Sequence, residues 1–217
     1  MNAIIFDCDG VLIDSEPLAS ATLAAALRRK NIAITAEESH RVFTGNALPV
    51  IQQICVETYG LQDVDGLFAQ WQSDLFAAFA TQLRPMTGMI DLLAGLGGPI
   101  SVASNSSSAR LRASLGVTPL WPLFAGHIYS ADMVPQPKPA PDLLLLCAAR
   151  MQVAAQNCTM IDDSPHGITA ARAAGMRSIG FVDPNDPRPN RAAALRAAGA
   201  DHVATGVPEL RSLLRHA

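Results

Sequence analysis

Residues 2–10 read Asn-Ala-Ile-Ile-Phe-Asp-Cys-Asp-Gly. Ala3 to Phe6 form an unbroken apolar run that stops at an aspartate, as expected of a strand buried on both faces of a parallel sheet. Gly10 permits a tight chain reversal directly afterwards. Asp7 and Asp9 lie two residues apart, so on extended backbone their side chains leave the same face. Open α/β sheets bind their ligands outside the carboxyl ends of the strands, which is where this acidic couplet falls.

Similar apolar runs recur at 100–103, 127–129, 158–161, 178–182 and 202–204. Apolar residues spaced three to four apart predict helices over 89–96, 109–115, 142–151, 167–174, 191–198 and 209–215. Gly116, Gly175 and Gly199 stand where such helices should stop. Strand–helix alternation predicts an α/β fold with a doubly wound, mostly parallel sheet. One interval breaks the pattern, because between Asp14 and the strand near Ile100 the chain reads as mostly helical. Ser15 is placed to cap a helix containing Leu18, Thr22, Leu23 and Leu27. Thr35 with Glu38 spells a capping box, and helical spacing continues over 49–59 and 64–80. The expected organisation is a core domain of residues 1–14 and 84–217 carrying an inserted all-helical domain, 15–83.

Of the 217 residues 49% are hydrophobic and 16% charged, which excludes a disordered chain, and the net charge of −3 gives no basic footprint for nucleic acid. No apolar run approaches the ~18 residues of a membrane span. The acidic opening does not read as a secretory leader, so the cytoplasm is the expected compartment. Cys8, Cys55, Cys147 and Cys158 form no CxxC pair and read as reduced, buried thiols. The aspartates flanking Cys8 should raise its pKa. His40, His127, His166, His202 and His216 show no metal-ligand spacing. Gly95-Leu96-Gly97-Gly98 precedes a strand and is not a dinucleotide fingerprint. The proline-rich stretch 183–190 reads as a surface loop.

Four strand ends supply the chemistry. They carry Asp7 and Asp9, then Ser104 and Asn105, then Lys138, then Asp162 and Asp163. Crowded carboxylates repel, and a hard divalent cation such as Mg²⁺, which prefers oxygen ligands, relieves that. A carboxylate can attack phosphorus to give an aspartyl-phosphate while its neighbour serves as general acid and then base. Mg²⁺ and Lys138 would neutralise the approaching phosphate, and Ser104, Asn105 and helix-initial N–H groups would hold its oxygens.

FDCDGVLIDSE at 6–16, SNS at 104–106, KPAPD at 138–142 and IDDSPHGITAARAAGM at 161–176 together resemble the haloacid dehalogenase superfamily. The likeness is greatest to its β-phosphoglucomutase-like phosphatases with a helical cap, and it covers essentially the whole chain. It implies a Rossmann-like core and a Mg²⁺-dependent phosphotransferase. Asp7 would be the nucleophile and Asp9 the general acid/base. Ser104 and Lys138 would bind the phosphoryl group, and Asp163 would ligate Mg²⁺ with Asp7 and the Asp9 backbone carbonyl. Asp162 stands where many relatives have glutamate, and its shorter side chain would reach the metal only through water. Mutases of this group carry a cap histidine and arginine where Ala19 and Leu48 stand here, which favours hydrolysis. The resemblance to sugar-phosphate phosphatases, such as 6-phosphogluconate phosphatases, points to a small phosphorylated sugar, polyol or sugar acid. Gly45 and Asn46 are the candidate substrate contacts in the cap, while Glu16 is assigned to a helix N-terminus. The expected partner is that metabolite, with no nucleic acid or membrane, in a monomer or weak dimer. The alternatives are a phosphosugar mutase and a non-enzymatic receiver domain; receivers place the phosphorylated aspartate after a middle strand and lack a helical insert.

Overall fold

The computed structural model describes residues 2–46, 48–124 and 126–215; His216 lies outside them. Six strands form one sheet. They are β1 (Ala3–Phe6), β2 (Ile100–Ser104), β3 (Ile128–Ser130), β4 (Cys158–Asp162), β5 (Arg177–Val182) and β6 (His202–Thr205). All pairings are parallel and the order is β3-β2-β1-β4-β5-β6. The chain winds outward from β1 to β3 and then restarts at β4 on the other side. The switch point therefore falls between β1 and β4, where Phe6 pairs with Ile161 and the Asp7 N–H continues the ladder to the Ile161 carbonyl at 2.9 Å. A ligand crevice is expected at such a point.

By contact density the chain divides into two compact units, Met1–Asp14 with Arg84–Ala217, and Ser15–Leu83. The second unit contains α1 (Glu16–Arg29), α2 (Ala36–Phe43), α3 (Leu48–Tyr59) and α4 (Val64–Gln82). Its core includes Leu23, Leu27, Phe68, Trp71, Leu75 and Phe79, and burial of each such side chain contributes about 1.5–3 kcal/mol. Trp71 satisfies its indole N–H on Thr22 Oγ1 at 3.0 Å. The Thr35–Glu38 capping box is present, with both reciprocal bonds made. Ser15 occupies the N-cap of α1 without a side-chain capping bond, because its backbone is already helical (φ −88°, ψ −23°) and not extended as a capping residue requires. Glu16 and Pro17 open that helix.

The first unit adds α5 (Met89–Ala94), α6 (Ser108–Ala113), α7 (Asp142–Met151), α8 (Pro165–Ala173), α9 (Arg191–Ala198) and α10 (Gly206–Leu214). Alternate residues Ala3 and Ile5 of β1 and Cys158 and Met160 of β4 pack with Leu143, Leu144 and Cys147 of α7 and Ala170 and Ala171 of α8, as strand and helix periods dictate. Gly175 and Gly199 adopt φ of 69° and 97° just past α8 and α9. Gly116 ends no α-helix; it lies within a 3₁₀ turn, Leu115–Val117, that follows α6. No helix among the described residues is long and apolar enough to cross a membrane.

Candidate active site

The turn after β1 is tightly folded. Leu12 and Ile13 N–H groups both donate to the Cys8 carbonyl, and Gly10, at φ 79°, donates to Ile13. A Cβ on Gly10 would lie 3.0 Å from Asp163 Cγ and Oδ2, so the glycine also makes room for the carboxylate that follows β4. Val11, Leu12 and Ile13 are fully buried, which anchors the turn beneath the sheet edge.

Lys138 organises the centre. Its ammonium donates at 2.7 Å to Asp7 Oδ1, at 2.7 Å to Asp162 Oδ2 and at 2.9 Å to the Ala103 carbonyl. All three donors of the ammonium are thus used, with the side chain only 4% exposed. Burial works to lower the Lys138 pKa, but Asp162 and then Asp7 win and hold it above its ordinary value, so the residue stays cationic. Burial pushes the Asp7 carboxyl up to about 7; the Lys138 charge opposes this and Asp162 reinforces it. Cys8 is likewise raised, chiefly by burial and only then by Asp9 and Asp7, so the adjoining aspartates are the smaller cause. All four cysteines are free and buried.

Asp7, Asp162 and Asp163 each offer an oxygen within 4.8 Å of the others. Three carboxylates so close, two of them buried and one with a raised pKa, form a donor set of hard oxygens that fits Mg²⁺. Asp9 contributes no carboxylate to this cluster. Its oxygens accept instead from Ser106 Oγ at 2.7 Å and Arg110 Nη2 at 3.2 Å.

Ser104 ends β2 and Asn105 follows it at the same edge. Ser104 Oγ accepts from the Ser106 N–H at 3.1 Å. The Asn105 amide clamps the Lys138 backbone, donating to its carbonyl at 2.7 Å and accepting from its N–H at 3.0 Å. That side chain, read from the sequence as a phosphate ligand, is committed to placing Lys138. Asp162, fully buried, also accepts from the Ser164 N–H at 2.8 Å. A side chain on Gly167 would collide with the Asp162 carboxylate, so this first-turn glycine of α8 makes room for the acid. His166 is exposed, and its N–H donates to the capping Ser164 Oγ. Gly45 and Asn46 belong to the helical unit, where Asn46 closes the end of α2 on Val42 and Phe43. His40 contacts Ser20 and Thr44, and His127 contacts Tyr129.

Five participants escaped the sequence reading. Ser106 and Arg110 hold Asp9, Gly167 admits Asp162, and Arg188 and Arg191 approach Asp163. Ser106 had a signal, its spacing of two from Ser104, and Gly167 had another, a helix-disfavouring residue in an opening turn.

The profile of the haloacid dehalogenase-like hydrolases matches residues 4–181. A 6-phosphogluconate phosphatase of Escherichia coli (strain K12) is 27% identical over 191 residues, covering 86% of this chain and 85% of that one. A fructose-1-phosphate phosphatase of the same organism is 29% identical, covering 81% of this chain and 94% of that one. Among solved structures, a HAD family hydrolase from Deinococcus radiodurans R1 with bound phosphate and sodium superposes with TM-score 0.86 at 30% identity, over 100% of this chain and 96% of that one. A conserved haloacid dehalogenase-like protein from Agrobacterium tumefaciens superposes with TM-score 0.88 at 34% identity, over 100% and 98%. With its fold, its four strand-end motifs and this match over most of its length in agreement, the chain belongs to the haloacid dehalogenase-like hydrolase family.

Proposed function

We propose that this chain is a Mg²⁺-dependent phosphatase that hydrolyses a small phosphorylated sugar, polyol or sugar acid through an aspartyl-phosphate on Asp7. The observation that carries the reading is the position of Asp7. It lies at the switch point, bonded to a buried cationic lysine and within one ion's reach of Asp162 and Asp163. Asp7, Asp163 and the Asp9 carbonyl would hold Mg²⁺, with Asp162 acting through water. The ion's contribution is charge neutralisation of the transferring phosphoryl group.

In the first step an Asp7 oxygen bonds to phosphorus, the P–O ester bond breaks, and the departing alkoxide takes a proton from Asp9. In the second, water gives a proton to Asp9 as its oxygen bonds to phosphorus, and inorganic phosphate leaves as the Asp7 carboxylate is restored. Lys138 neutralises charge beside Asp7 throughout. The Ser104 hydroxyl, which accepts from the Ser106 N–H, would donate its proton to a phosphate oxygen. The helical unit is assigned the role of a cap that excludes water, hinging at Asp14 and Leu83–Pro85. The phosphatase names of the relatives support hydrolysis, and Ala19 and Leu48 supply no cationic clamp for a second phosphate.

The test is a screen of phosphorylated metabolites, with p-nitrophenyl phosphate as a general substrate, for phosphate release with and without EDTA. Catalytic, EDTA-sensitive release supports the reading. A single equivalent of stable acyl-phosphate would favour a receiver, and isomerisation of glucose 1-phosphate without stoichiometric release would favour a mutase.

A further inference from the structure

The segment joining β5 to α9, with the first residue of that helix, supplies two arginines that the proposed chemistry does not use. Its fold is held by its own side chains. Asp183 accepts from the Asn185 N–H at 3.0 Å. Asp186 accepts from the Arg188 N–H at 2.9 Å and grips the Arg188 guanidinium through both oxygens, the Nη2–Oδ2 bond being 2.6 Å. Asn190, at φ 62°, turns the chain into α9. Arg191, the first residue of that helix, then reaches back 28 residues to Asp163. Its Nη2 donates to the Asp163 carbonyl and, at 3.2 Å, to Asp163 Oδ2. Arg188 Nη2 lies 3.8 Å from the same oxygen, and Arg191 Nε lies 3.4 Å from Asp186 Oδ2. The side chains of Arg188, Arg191 and Asp186 are only 14%, 16% and 10% exposed. Charged side chains are rarely so covered unless they are paired.

We propose that Arg191, steadied by Asp186 and Arg188, is a positioning residue for the divalent cation: by bridging the carbonyl and one carboxylate oxygen of Asp163 it fixes the side chain that presents the other oxygen to the metal. The inference rests on the Mg²⁺ reading of the Asp7–Asp162–Asp163 cluster. A carboxylate has about four lone-pair sites and can serve a guanidinium and a cation together. Gly10 packs closely on the Asp163 carboxylate and limits its movement further. Two arginines would repel a cation, but Asp186 contacts both and offsets one of the charges. Hydrogen-bond partners that orient a metal ligand typically account for about 10–100-fold in metal affinity, the effect set against the remaining repulsion.

The test is Mg²⁺ binding to purified full-length protein by titration calorimetry, without substrate. Arg191→Ala is expected to weaken binding about 10–100-fold. Arg191→Lys, which keeps the charge and loses the fork, is expected to weaken it too, and Asp186→Asn to weaken it less. Circular dichroism confirms folding, and if Arg191→Ala does not fold, Arg191→Lys and Asp186→Asn decide. Unchanged or tighter binding in the folded Arg191 variants overturns the inference. A wild-type protein with no saturable Mg²⁺ binding overturns instead the metal reading on which it stands.

Discussion

The two units hold ion pairs of the same chemistry in opposite surroundings. In the helical unit Arg29 meets Asp74 with side chains 51% and 31% exposed, and Lys30 meets Asp63 with 43% and 58% exposed. At the sheet edge Lys138 meets Asp7 and Asp162 with 4%, 11% and 0% exposed. Water screens the first pairs, and such contacts contribute little. The second set has no water to fall back on, so each partner is costly to remove. The contrast argues that the carboxylates at the strand ends are not there for stability alone, as the proposed function requires. A fold seeking only stability would fill that volume with apolar side chains, which is often neutral or stabilising.

The largest expected effect is on activity. Asp7→Asn should lower phosphate release by about 10³-fold or more, since a nucleophile acts in concert with its partners and cannot be replaced piecemeal. Asp9→Asn should retain phosphoenzyme that breaks down slowly. Next comes stability. Lys138→Met leaves two buried carboxylates without their cation and should cost about 3–5 kcal/mol by urea unfolding in EDTA, with Mg²⁺ recovering part of it. A loss no greater than that of Asp74→Asn would erase the contrast between the two regions.

Acidity sharpens the same contrast. The folded-state pKa of Asp7, about 7, lies above its ordinary value near 4. Over that window the native state binds the proton more tightly than the unfolded chain, so Asp7's contribution to metal-free stability is fully present below about pH 4 and lost as the pH rises through about 7. The difference between wild type and Asp7→Asn, followed by thermal unfolding in EDTA, should show this slope, and Mg²⁺ should flatten it. Asp74 runs the other way, because Gln70 and Arg29 hold its carboxyl below the ordinary range. Asp74→Asn, the smallest effect, should leave the melting temperature unchanged within error in salt near 0.15 M, where the Debye length is about 8 Å.

The sheet was legible because apolar runs broken by charge admit few alternatives. All six strands begin or end within two residues of the expected ranges. Helix starts were harder to read. α8 begins at Pro165 and α10 at Gly206, ahead of the expected 167 and 209, because proline and glycine in their opening turns disguise the helical pattern. α6 stops at Ala113 where Ser114 leaves helical geometry (ψ −83°), two residues short of its apolar pattern. In the site, Asp7, Lys138, Asp162 and Asp163 could be read because each directly follows a strand or lies in a loop leaving one. The Asn105 clamp on Lys138 and the reach of Arg191 to Asp163 could not, because they link residues 33 and 28 apart through side-chain directions that no periodicity encodes.

The most direct test of the account is to mix Asp9→Asn enzyme with a phosphorylated substrate and Mg²⁺, quench in acid and locate covalent phosphate by peptide mass spectrometry. Phosphate is expected on the peptide bearing Asp7, absent when EDTA is present and absent in the Asp7→Asn, Asp9→Asn double variant. Phosphate on another residue, or undiminished turnover by Asp7→Asn, would contradict it.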